Sequence, residues 1–210
     1  MKLERRRDRA IMPLLLVAAI LIAALQSFST GAAQGEAEAK RLTIGTLADI
    51  STLHPIRVSD IPSRQVMRQV FDALVDIDYE GVPQPVIARE WNISDDGMTY
   101  TFHLRDNVLF HDGTPLTADD VAFSLGAILD PEVASPDRAR FELIESINVI
   151  DDFTVEVVLS KPSAPFIVSL DDARIMPRHV VETVGHDQFG RTPVGSGPFA
   201  FVSWQPDDRV

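Results

Sequence analysis

The stretch Trp91-Asn92-Ile93-Ser94-Asp95-Asp96-Gly97-Met98-Thr99-Tyr100-Thr101-Phe102-His103-Leu104 contains two alternating runs with a turn between them. Trp91 and Ile93 alternate with polar neighbours, and so do Tyr100, Phe102 and Leu104. A period of two marks a half-buried strand. An Asp-Gly pair between two such runs is a strong local signal for a hairpin. Trp91–Ser94 and Thr99–Leu104 are therefore expected to pair antiparallel. Val108–Phe110 reads as a further short strand, closed by the turn His111-Asp112-Gly113-Thr114-Pro115. Thr117 then opens a helix with Asp120 three residues on, the capping-box spacing, and Val121, Leu125, Ile128 and Leu129 supply its apolar face.

The same signals extend outward. Ile144–Ile150 and Phe153–Leu159 flank Asp151-Asp152 and predict a second hairpin. Upstream, Leu42, Ile44 and Thr46 alternate, so Arg41–Leu47 reads as a strand that runs into the polar loop Asp49-Ile50-Ser51-Thr52-Leu53-His54-Pro55. Ile61–Val75 is helical by period, with Pro62 tolerated in the first turn. Downstream, Pro177-Arg178-His179 opens a short helix through Val184, and Phe199–Trp204 reads as a strand. Helices mixed with adjacent hairpins give a mixed α/β (α+β) class.

Composition narrows the function. The chain has 210 residues, a formal net charge of −12 and no cysteine. The missing cysteine excludes disulfides, thiolate metal sites, thiol nucleophiles and a lipoprotein-type anchor. The acidic balance argues against nucleic acid as a partner, since phosphate binding needs clustered Lys and Arg. Residues 1–33 read as an export signal: Lys2, Arg5, Arg6, Arg7 and Arg9 precede a 15-residue apolar run from Ile11 to Leu25 and the small residues Gly31-Ala32-Ala33. A membrane span needs about 20 apolar residues, so cleavage after Ala33 is expected instead. Removing 1–33 leaves 14 basic and 29 acidic residues, a net of −15. Residues 34–40 read as a flexible leader.

Catalytic patterns are scarce. Gly195-Ser196-Gly197 is too short for a nucleophile elbow, and only Asp207 and Asp208 follow it as acids, so a secreted hydrolase is a remote alternative. His111-Asp112-Gly113 and Asp95-Asp96 are turn chemistry. Asp119-Asp120 lies in the first turn of a helix, where negative charge is favoured. Trp91 and Trp204 are expected to pack into a core rather than stack on a ligand. No catalytic residue, metal site or cofactor is assigned.

Three segments, taken in order, are more specific than any one of them: Phe71-Asp72-Ala73-Leu74-Val75, the continuous run Pro85–Val121, and Pro193-Val194-Gly195-Ser196-Gly197-Pro198-Phe199. Together they closely resemble the family 5 extracellular solute-binding proteins of ABC importers, which include dipeptide-, oligopeptide- and nickel-binding members. The resemblance implies a periplasmic-binding-protein-like class II fold, of which this chain would carry the first lobe with its extra domain, the second lobe missing. It implies a start of lobe one at 41–56, the extra domain at 57–187, and a return to lobe one at 188–210, where the chain looks truncated. It also implies ligand contacts from Asp49, Ser51 and Thr52 after the first strand and from Ser196, Gly197 and Phe199 in the later loop. For Gly195 and Gly197, a purely conformational role in a tight turn is the competing reading.

The expected function is capture of a solute, most readily a peptide, between two lobes and its delivery to an ABC permease in the membrane. The protein is expected to be a monomer in the periplasm or another extracytoplasmic space. A ligand-sensing or chaperone-like module of the same fold, uncoupled from import, is the alternative.

Overall fold

The computed structural model describes residues 42–46 and 48–210. The signal (1–33) and leader (34–40) read from the sequence lie outside the described residues. Residues 45–210 form one compact unit, which carries every element named below.

Both expected hairpins form. β3 (Ala88–Ile93) pairs antiparallel with β4 (Thr99–Leu104), with Trp91 opposite Phe102 and Ile93 opposite Tyr100. Their turn is held by Asp96 Oδ1, which accepts from the Ser94 hydroxyl at 2.6 Å and from the Met98 N–H at 3.0 Å. Gly97 takes the left-handed conformation there, with φ of 70°. β5 (Ile144–Asp151) pairs antiparallel with β6 (Thr154–Leu159). The two hairpins then join through β4 and β6, Phe102 facing Val155 and Tyr100 facing Val157, to give the sheet order β3-β4-β6-β5. The central strands alternate strictly between half-buried and buried residues, as a sheet with one covered face must.

That face is covered by α2 (Ala118–Leu129), whose Val121, Leu125 and Ile128 join Tyr100, Phe102, Val155, Val157 and Leu159 in the core. The helix begins as its sequence requires. Thr117 is the N-cap, and Asp120 Oδ2 accepts from the Thr117 N–H at 2.9 Å. Asp120 Oδ1 also accepts from the Arg178 N–H at 2.9 Å, tying α2 to the start of α5 (Arg178–Phe189). α5 is interrupted at Gly185, where φ of 77° and ψ of 160° are non-helical, one residue beyond the expected end at Val184. Two short helices, α3 (Arg138–Phe141) and α4 (Phe166–Ser169), bring Phe141 and Phe166 together beneath Tyr100.

Four expectations change. The helix expected over Ile61–Val75 is α1 (Ile61–Val70), and Phe71 already has extended backbone. Phe71 through Val75 is an almost unbroken apolar run, which period alone cannot assign. Its backbone goes to other partners: Ala73 bridges Arg174, the Leu74 carbonyl accepts from the Ala88 N–H, and β1 (Val75–Ile77) pairs with β2 (Pro83–Pro85). Val108–Phe110 is no strand but a loop closed by the isolated bridge Leu109–Pro115. Of the strand expected at Arg41–Leu47, the described residues 42–46 have no regular structure, and Leu42 and Ile44 are exposed. Phe199–Trp204 likewise forms no strand, and Phe199 and Val202 are exposed. A strand needs a neighbour for its N–H and C=O groups, and alternation says which face could be buried without supplying that neighbour. No described residue pairs with either segment as a strand.

Asp120→Ala removes the reciprocal cap and orphans the Arg178 N–H. It is expected to cost about 1–3 kcal/mol, read as a lowered urea midpoint with an unchanged slope.

Candidate ligand-binding site

The loop before α1 is anchored by its apolar residues. Ile50, Leu53 and Ile56 are buried, which leaves Ser51 and Thr52 displayed between them. The loop is also sewn to the helix start. The Ser51 N–H donates to Ser63 Oγ at 2.9 Å and the Ser51 hydroxyl donates to Asp60, the N-cap of α1. Burial pushes the Asp60 carboxyl up. The hydroxyls of Ser51 and Ser63 and the Ser63 N–H outweigh this and hold it below the ordinary carboxylate range.

Next in the chain, His54 is buried, and its Nε2 lies 3.0 Å from Nδ1 of His186, which follows the break at Gly185. Phe189 packs edge-on to the His54 ring, and Phe123 stacks on His186. Beside this pair, Arg57 donates through Nε to the Val133 carbonyl at 2.8 Å and through Nη1 to Asp187 at 2.7 Å. Burial, then the neighbouring His186 and Arg57, push His54 down to about 3. His186 is lowered too, by burial and then Arg57.

These groups line one cavity of about 630 Å³, with Ser51, Thr52, Arg191, Trp204 and Pro206 on its remaining walls. That volume is within the range of small-molecule pockets. Asp49 stands at its margin, where its carboxylate accepts from the Asp207 N–H at 2.7 Å. Trp204 is half-buried against the core, as is Trp91.

The second expected set lies elsewhere. The Gly197 N–H donates to the Val70 carbonyl at 2.9 Å and the Phe199 N–H to the Gln69 carbonyl at 3.0 Å, at the C-terminal end of α1. The Ser196 hydroxyl donates to Asp72 at 3.0 Å. His111 secures the loop from the other side: its Nδ1 accepts from the Gly195 N–H at 3.3 Å, so its Nε2 is the donor to the Gly197 carbonyl at 2.8 Å. A Cβ on Gly195 would lie 1.9 Å from the Val70 carbonyl oxygen, and one on Gly197 2.6 Å from that of Gln69. Close backbone approach, rather than a positive φ, is what these glycines permit here. Ser51 sits at one end of α1 and Gly197 at the other, and a ten-residue helix is about 15 Å long. The structure thus brings Ser51 and Thr52 into the cavity wall, leaves Asp49 outside that wall, and keeps Ser196, Gly197 and Phe199 apart from the cavity.

Sequence reasoning did not find His54, Arg57, His186 and Arg191. His54 and His186 are 132 positions apart, and no motif connects them. The turn assignments for the other polar pairs agree with the contacts. Asp112 accepts from the Thr114 N–H at 3.0 Å and from His179 Nε2 at 2.8 Å, and Asp120 caps α2. Among the described residues no three His, Asp or Glu side chains converge to hold a metal ion, and no helix is long and apolar enough to cross a membrane.

Comparison with known proteins gives a consistent picture. Residues 82–210 match the family described as bacterial extracellular solute-binding proteins, family 5 Middle. The glutathione-binding protein GsiB of Pectobacterium atrosepticum is 31% identical over 173 residues, covering 82% of this chain and 34% of GsiB. NikZ of Campylobacter jejuni, solved with Ni(L-His), superposes with a TM-score of 0.68 at 34% identity, over 74% of this chain and 31% of NikZ. The ABC transporter-associated periplasmic binding protein DppA of Helicobacter pylori, solved with the peptide STSA, superposes with a TM-score of 0.70 at 32% identity, over 76% of this chain and 36% of DppA. The chain therefore spans about a third of the length of these relatives.

Two outcomes test the geometry. Both cavity histidines are depressed from 6.5, so the folded state binds fewer protons than the unfolded state between 6.5 and about 3. Stability is then full above pH 6.5 and declines as the pH falls through that window. Urea midpoints across pH 4–8 should fall on the acid side, and less steeply in His54→Phe/His186→Leu. Separately, Gly195→Ala should cost about 2 kcal/mol or more through overpacking, read by the same unfolding assay.

Proposed function

The chain belongs to the bacterial extracellular solute-binding proteins of family 5, and from that premise we propose that it serves as the solute-capturing component of an ABC importer, with a peptide as cargo. The match over 82–210 carries this reading. The protein is exported by its N-terminal signal and works outside the cytoplasmic membrane. Residues 41–56 and 188–210 contribute to lobe one, and 57–187 form its extra domain. The ligand closes the protein by adding contacts to both lobes only in the closed state, which shifts a hinge equilibrium. The closed form then docks on the permease.

The site described above supports a binding role. It offers hydroxyls, imidazoles and guanidinium groups in a cavity of about 630 Å³. Polar groups of that kind fix a ligand's orientation, while the apolar wall at Trp204 supplies buried area. GsiB, NikZ and DppA are named or solved with glutathione, Ni(L-His) and a peptide, so peptide cargo is the finer part of the proposal.

The protein purified under native conditions should carry peptides that mass spectrometry identifies. Stripped of them, it should rebind a tri- to pentapeptide pool in calorimetry with micromolar or tighter affinity. A strain lacking the gene should lose uptake of those peptides. Tight binding with undiminished uptake would favour a sensing module instead, and no binding of any peptide would remove the peptide assignment.

A further inference from the structure

The His54–His186 contact holds only while both rings are neutral. His54 is buried, its Nε2 lies 3.0 Å from His186 Nδ1, and its own Nδ1 is buried with no partner among the described residues. A proton on that Nδ1 would be a buried N–H without an acceptor, which folded proteins avoid. His54 therefore keeps its proton on Nε2 and donates to His186 Nδ1, and the proton of His186 is on its Nε2. A further proton has no place in this geometry. On His186 Nδ1 it would face the His54 N–H, and on His54 Nδ1 it would be the orphan. Burial, then His186 and Arg57, push His54 down to about 3. Burial and Arg57 lower His186 from 6.5, while Asp130 and Asp187 draw it back up. His186 is thus the ring that takes up a proton as the pH falls below 6.5, and in doing so it loses its bond to His54.

A place for the charged ring lies beside it, at the C-terminal end of α2. Pro131 has no N–H to offer the Ala127 carbonyl. The Glu132 N–H goes instead to Asp130 Oδ1 at 2.8 Å, and the Val133 N–H to the Asp130 carbonyl at 3.2 Å. The carbonyls of Ala127, Ile128 and Leu129 therefore receive no backbone donor from the turn that follows, and the last turn of α2 contains no basic residue. A helix end of this kind favours a cation. Phe123, Ala127 and Asp130 share one face of α2 by their spacing, and the His186 ring already stacks on Phe123 with the planes 3° apart. His186 also follows Gly185, whose φ of 77° interrupts the turn that would restrict a helical side chain.

The other charged groups around the pair are engaged. Arg57 holds Asp187 at 2.7 Å and keeps its carboxyl below the ordinary range, so this ion pair persists while His186 titrates. Asp49 accepts from the Asp207 N–H, Arg209 pairs with Asp208, and Arg191 lines the cavity on the side of the 186–191 turn. We propose that His186 is a two-position acid switch. Neutral, it accepts from His54 and joins the 48–57 loop to α5; protonated, it swings along Phe123 to Asp130 and the free carbonyls of α2, which opens the cavity wall while the sheet and its helix stay folded. No ligand takes part, so the switch is independent of the cargo and of the transport reading.

The test follows the imidazole and backbone nitrogen–proton signals of the full chain by NMR from pH 8 to pH 4. His186 should become an imidazolium while His54 stays a neutral ring protonated on Nε2. Amides of 52–57 and 186–190 should shift with the His186 midpoint, and those of the 94–99 turn should not. In His186→Gln, which keeps a hydrogen-bonding side chain, the 52–57 amides should no longer titrate with that midpoint. Asp130→Asn, which keeps the acceptor for the Glu132 N–H, should move the His186 midpoint to lower pH. Spectra at pH 8 that are unchanged away from the substitution establish that the variants fold. Protonation of His54 before His186, or persistence of the 52–57 titration in His186→Gln, overturns the switch. An unchanged midpoint in Asp130→Asn overturns the charged position at α2. Loss of all signals in one transition before His186 titrates replaces local opening with global unfolding and overturns the inference.

Discussion

The last carbonyls of a helix have no partner within it, and at the C-terminal end of α1 they must find donors elsewhere. Two distant segments supply them. Residues 197 and 199 donate to Val70 and Gln69, Arg174 donates to the Phe71 carbonyl at 3.3 Å, and Ile175 donates to Asp72. Ser196 then adds its hydroxyl to the Asp72 carboxylate. A side chain at 195 would exclude the first of these approaches altogether. The demand of one helix end thus fixes where the 171–176 and 193–199 segments run. It also explains why Phe71 ends the helix. Its ring is fully buried against Phe189, and its carbonyl is already spoken for by a buried arginine.

The opposite end of α1 has a related logic with a different outcome. Asp60 satisfies the first N–H groups and collects Ser51 and Ser63, which holds the 48–57 loop in place. Once that loop is fixed, His54 has to pack against whatever leaves α5, and Gly190 is small enough to let it, since a Cβ there would already lie 3.1 Å from the His54 Cβ. The paired imidazoles stay neutral because burial and the adjacent Arg57 disfavour a second positive charge. Neutral rings beside two guanidinium groups keep the cavity from being densely charged.

How far the sequence reveals this depends on how local each cause is. The Asp95-Asp96-Gly97 turn, the Thr117–Asp120 box and the helix stop before Gly185 are set by a few adjacent residues, and the structure has them where the sequence places them. The joining of β4 to β6 is not local, and neither is the His54–His186 contact. Alternation in 42–46 and 199–204 specifies a strand face but no neighbour, so the expected strands do not form there. The Gly195-Ser196-Gly197 loop is legible as a special conformation. That its glycines serve contact with the α1 carbonyls emerges only when residues 70 and 195 are seen together.

A scaffold of this kind separates support from selection. Two small peptides, glutathione and STSA, and a nickel–histidine complex differ in size, charge and metal content, yet GsiB, NikZ and DppA are all similar to this chain over more than 70% of its length. Discrimination among such ligands therefore cannot come from the four-stranded sheet or its helix, which are built from generic alternation and capping. It has to come from residues outside that sheet and helix. In this chain the 48–57 loop and the 186–191 turn are anchored by buried residues on one side and present polar groups on the other. The anchors Leu53, Ile56 and Phe189 can be read as what holds the polar groups of the cavity in register with one another.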